Sequence, residues 1–91
     1  ITLTVINDSL PIPNYNIACI YYEKAQEAMK HSSLSYKQRL KEAQKYYKLC
    51  LPYMERYRKL VPEDKKLWRP VLYDVYLNLN MGKEFDSLPE E

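Results

Sequence analysis

Apolar residues recur along most of this chain at steps of three and four, the spacing that draws one stripe down a helix. Ile17, Ala18, Tyr21, Ala25, Ala28 and Met29 do so over residues 14–30. Asn14 follows Pro13 and is the expected N-cap, and His31-Ser32-Ser33 ends the run. A longer seam follows: Tyr36, Leu40, Ala43, Tyr47, Cys50, Met54 and Tyr57 predict a second helix over 35–60. A short connection makes the first helix its antiparallel partner. Pro52 lies inside this second helix, removes one backbone donor, and predicts a kink near residues 48–52. Pro62-Glu63-Asp64 closes the pair, and the two acids suit the start of the next element. The third helix, over 64–80, carries Trp68, Leu72, Val75, Tyr76 and Leu79 on one face, with Pro70 early enough to be tolerated. Gly82 is then expected to cap it in the left-handed conformation. A last short turn over 83–88 would tuck Phe85 against the bundle.

The two ends read differently. Residues 1–13 (ITLTVINDSLPIP) open with a β-branched, alternating stretch and continue into Asp8, Ser9, Pro11 and Pro13. With no second strand to pair with, this segment is expected to be an extended arm. Pro89-Glu90-Glu91 forms an acidic tail. The domain organisation is therefore an arm over 1–13, one all-α helical domain over 14–88 and a tail over 89–91. The first residue is Ile1 rather than Met, so the chain is expected to be part of something longer.

Composition narrows the chemistry. One glycine in 91 residues leaves nothing from which to build a phosphate-cradling loop, a dinucleotide fingerprint or a nucleophile elbow. Cys19 and Cys50 form neither a disulfide framework nor a zinc quartet and read as small apolar residues on helix seams. His31 is the sole histidine. Ser32 and Ser33 beside it offer a nucleophile, but no acid is near in sequence to orient the ring. No catalytic residue, metal site or cofactor is expected, and no apolar run reaches the length of a membrane span.

Charge is nearly balanced overall at +2, yet residues 24–59 hold ten basic and three acidic side chains. Lys37, Lys41, Lys45 and Lys48 step along one face of the long helix, with Tyr46, Tyr47 and Tyr53 interleaved. An anionic partner, nucleic acid included, could use this stripe. A solvated face opposite an apolar seam is the simpler reading.

The segment Cys50-Leu51-Pro52-Tyr53-Met54-Glu55-Arg56-Tyr57-Arg58-Lys59-Leu60-Val61-Pro62, with Trp68 six residues on, resembles the second helix and closing proline of a tetratricopeptide repeat (TPR). Tyr15-Asn16-Ile17-Ala18-Cys19-Ile20-Tyr21-Tyr22 is similar to a TPR first helix, with Ile17, Ala18 and Tyr21 in its packing positions. The run YDVYLNLNMGKEFD over 73–86 resembles the terminating repeat of bacterial TPR chains. About twenty extra residues, 26–45, separate the two halves of the first repeat, and Tyr57 and Leu72 stand where smaller residues are usual.

The resemblance implies TPR-like antiparallel hairpins, the first elongated, followed by a terminal helix. It implies a non-enzymatic module that presents a concave helical surface to a peptide or protein. The partner-binding positions it implies are Tyr15, Asn16, Cys19 and Tyr22 in the first repeat, and Lys66, Arg69, Tyr73 and Tyr76 in the second. Hairpin repeats bury their faces by stacking, so packing on upstream repeats or on a second copy is also expected. Nucleic acid through the lysine stripe is the alternative partner.

Overall fold

Proline sets where the first helix begins. The first helical amides have no acceptor one turn back, so a missing N–H costs nothing there. Pro11 and Pro13 occupy this turn in the computed structural model, which describes residues 10–31 and 33–89. Helix α1 accordingly runs Pro11–Met29, three residues earlier than the stripe suggested. The last three residues of the expected arm belong to it, and residues 1–9 lie outside the described ones. Asn14 is therefore not the N-cap. It is fully buried one turn inside the helix, where its Nδ2 donates to the Leu10 carbonyl at 2.7 Å.

Helix α2 runs Tyr36–Leu60 behind a complete capping box. The Gln38 amide donates to the Ser35 hydroxyl at 3.2 Å, and the Ser35 amide donates to Gln38 Oε1 at 3.1 Å. Two otherwise orphaned donors are satisfied reciprocally. The helix continues through Pro52, which is exposed. Helix α3 spans Lys65–Asn78 and α4 spans Gly82–Asp86. All regular structure among the described residues is helical, and no helix there is long and apolar enough to cross a membrane.

The cap of α3 falls elsewhere than expected. Asn80, with φ of 58°, takes the left-handed conformation. The Met81 amide donates to the Tyr76 carbonyl at 2.9 Å and the Asn80 amide to Leu77 at 3.3 Å, the paired bonds of a Schellman ending. Asparagine tolerates this conformation because its short polar side chain can bond locally. Gly82 has no positive φ and instead opens α4.

Side-chain pairs fix the packing directions. Tyr15 meets Tyr57 at a ring separation of 5.0 Å, Tyr22 meets Tyr47 at 6.3 Å, and Arg39 donates to the Met29 carbonyl at 3.3 Å. Numbers rise on α1 as they fall on α2, so the two run antiparallel. Tyr57 and Asp64 meet at one end of α2 and α3, while Gln44 donates to the Asn78 carbonyl at the other. Helix α3 thus returns antiparallel to α2 and parallel to α1. The chain then doubles back: Phe85 packs 4.8 Å from Tyr73, and Arg69 donates to the Pro89 carbonyl at 2.6 Å.

The core follows from these directions. Ala18, Ala25 and Ala28 of α1 and Ala43 and Cys50 of α2 belong to one buried cluster, small residues that let the two helices approach closely. Met54, Tyr57, Trp68, Val71, Leu72, Val75 and Tyr76 fill the space between α2 and α3. Of the seven positions in the second seam, the last five are buried, whereas Tyr36 is 64% exposed and Leu40 is half-buried. The first turn of α2 overhangs, because α1 has already ended at Met29.

Candidate partner-binding surface

Helices α1 and α3 each pack on α2 and are tied to one another by a hydrogen bond that Tyr22 Oη donates to Asp74 Oδ2. Burial, then this bond, holds the Tyr22 phenol well above its usual pKa. Tyr15, half-buried against Tyr57, is also raised, first by hydrogen bonding with Cys19 and then by burial. Both rings brace α1 against its neighbours. Cys19 is half-buried between them, and Asn16 is exposed.

The four positions expected on α3 have other surroundings. Arg69 is half-buried, with its guanidinium 6.0 Å from the Tyr73 ring and its Nε bonded to Pro89. Tyr73 is 40% exposed and rests on Phe85. Lys66 is exposed beside Arg69, and both line a recess of about 500 Å³ at the start of α3. Arg69 and Tyr73 meet the returning chain, and Pro70 lines the same recess as Lys66 and Arg69. Tyr76 is 2% exposed and donates to Glu55 Oε2 at 2.7 Å, which corrects its placement as a partner contact. It is a core residue, and burial raises its pKa. The structure therefore does not bring the eight residues into one groove.

The α3 side that borders α1 is marked by Asp74. Leu67, Pro70 and Leu77 share that side with Asp74, at steps of three, four and three. Leu67 is 38% and Leu77 54% exposed, and Pro70 is exposed as well. On α1, Ile12, Asn16, Cys19 and Glu23 share one side at steps of four, three and four, with Ile12 64% exposed. The open surface is therefore apolar on α3 and mixed on α1. The expected set 66, 69, 73, 76 lies one residue, a rotation of about 100° on a helix, from the row 67, 70, 74, 77.

Other candidate chemistry resolves simply. Ser33 Oγ lies 2.8 Å from His31 Nδ1, both exposed in the α1–α2 connection, and no carboxylate among the described residues bonds the ring. Cys50 is fully buried and its thiol is pushed up to about 12 by burial, which keeps it from reacting as a thiolate. Both cysteines are free. Among the described residues no group of three or more His, Cys, Asp or Glu side chains could hold a metal ion. Lys37, Lys41, Lys45 and Lys48 are all exposed on one side of α2.

Comparison with protein-family models, with curated proteins and with solved structures returned no match.

Proposed function

We propose that the chain is a non-enzymatic, TPR-like helical module that captures a peptide or protein partner across the shared outer face of α1 and α3. The observation that carries this reading is the exposed apolar row Leu67, Pro70 and Leu77 beside Ile12 and Asn16, on two helices pinned by Tyr22 and Asp74. Exposed apolar groups on rigid helices bind with little ordering cost, and neighbouring amides fix register.

The helix order supports the TPR-like part. An antiparallel pair is followed by a third helix parallel to the first, and the molecule is flat, 39 × 37 × 18 Å. Helices laid in a thin layer have a free side on which further repeats or a second copy can stack. Ile20, 53% exposed on α1, lies on such a side.

Affinity capture with three forms of the protein tests the binding surface. The forms are wild type, the triple Ile12→Ser/Leu67→Ser/Leu77→Ser, and the triple Lys37→Glu/Lys41→Glu/Lys45→Glu. The reading predicts a partner retained by wild type and the lysine triple and lost by the apolar triple. A partner held equally by the apolar triple would overturn it.

A further inference from the structure

The long second helix carries a face that its own packing does not use. Lys37, Lys41, Lys45 and Lys48 lie opposite the buried Ala43, Tyr47, Cys50 and Met54. Among the described residues the ion pair on this face is Lys45 with Glu42, at 3.8 Å, and Lys37, Lys41 and Lys48 have no acidic partner. The face is not wholly polar. Lys41, Lys45 and Lys48 line a shallow recess of about 960 Å³ together with Leu34 and Leu49, and Leu49 is 42% exposed.

We propose that this face docks an acidic amphipathic helix from a protein partner. Carboxylates on successive turns of that helix would meet Lys41, Lys45 and Lys48, and its apolar side chains would seat against Leu34 and Leu49. Charge complementarity supports the acidic partner, since the face carries Lys37, Lys41, Lys45 and Lys48 against the single acid Glu42. Length supports a helical one. The lining residues from Gln38 to Leu49 cover about 16 Å at ~1.5 Å per residue, three turns of a partner. Lysines at steps of four and three match acids at the same steps on an apposed helix.

The three tyrosines interleaved with the lysines, Tyr46, Tyr47 and Tyr53, argue against nucleic acid on this face. Stacking bases needs open ring faces. Tyr47 is 4% exposed and packs beside Tyr22. Tyr53 is held 6.3 Å from Tyr21 with the Arg56 guanidinium 5.6 Å from its centre. Tyr46 is half-buried, with the Lys45 ammonium 5.6 Å from its ring. A phosphate backbone would also leave the two leucines unused. This inference is independent of the α1–α3 surface, which lies on other helices.

Fluorescence anisotropy tests it, with a labelled peptide bearing Glu at steps of three and four and Leu on the adjoining stripe. A scrambled peptide of the same composition, poly-glutamate and single-stranded DNA serve as competitors. Saturable binding is expected, weakened about tenfold by Lys41→Gln/Lys45→Gln/Lys48→Gln and by raising salt from about 50 to about 300 mM. Leu49→Ser should weaken it several-fold. All four substituted side chains are exposed, and circular dichroism melts confirm that the variants fold. Absence of binding at low salt would overturn the proposal. So would an affinity indifferent to Leu49→Ser or to scrambling, and DNA binding tighter than the patterned peptide would give the face to nucleic acid instead.

Discussion

Asn14 holds three parts of the molecule with one buried amide. Its Nδ2 reaches back to the Leu10 carbonyl, and its Oδ1 accepts from Arg56 Nη1 on α2 at 2.9 Å. An isosteric apolar side chain would leave the arginine without that acceptor in a water-poor setting. Asn14→Leu should therefore cost about 2 kcal/mol in a denaturant titration, and an unchanged midpoint would contradict the role. The buried phenols and the Cys50 thiol make a second prediction. Tyr57, bonded to Asp64 at 2.6 Å, rises from 10.0 to about 12, through that bond first and burial second. Cys50 rises from 9.0 to about 12, and Tyr22, Tyr47 and Tyr76 are raised too. Each group is neutral when protonated, so between its ordinary and its raised value the folded chain binds more protons than the unfolded one. The stabilisation is whole below about pH 9 and is lost as pH climbs through the interval to about 12. Thermal melts should show a steep alkaline decline, made shallower by Tyr57→Phe; a flat profile over that interval would contradict it.

At the level of elements, the helix stops and starts are local events with local tests. The start of α2 was expected near Ser35, but the Ser35–Gln38 capping box that fixes it was not anticipated, although its residue types and three-residue spacing are a helix-start signature. Ser35→Ala should cost about 1 kcal/mol. The end of α3 was misread because glycine is the usual left-handed residue, and Gly82 drew attention from Asn80 two places earlier. The structure now predicts an asymmetry. Asn80→Val should destabilise by about 1 kcal/mol or more, since a β-branched side chain is strained at positive φ. Gly82→Ala should be close to neutral: its φ is negative, and an added Cβ would meet nothing within 4 Å. Equal effects of the two changes would refute the Schellman ending. The start of α1 was misread for a related reason. Pro11 and Pro13 break a helix interior but are harmless in its first turn, and the sequence alone does not say which applies.

For the whole molecule, the three long helices and most of the core could be read from spacing alone. Period-three-and-four stripes identify the buried face of each helix whatever lies against it, and Ala43, Tyr47, Cys50, Met54 and Tyr57 are all buried. The surface was harder. Which exposed flank of α3 borders α1 depends on the rotation of α3 about its axis, and the row Leu67, Pro70 and Leu77 lies one residue from the expected Lys66, Arg69 and Tyr73. Tyr76 fell into the seam by spacing and into the surface set through the TPR resemblance, and only burial separates the two. The Tyr22 bond to Asp74 joins α1 to α3, so the proposed outer face depends on it. The most direct test of the account is site-specific photo-crosslinking. A photoreactive residue is placed in turn at Asn16, at Leu77 and, for reference, at Lys83 on α4. Asn16 and Leu77 should both trap the same partner, and Lys83 should not. Trapping at Lys83 alone, or different partners at Asn16 and Leu77, would contradict a shared binding face on α1 and α3.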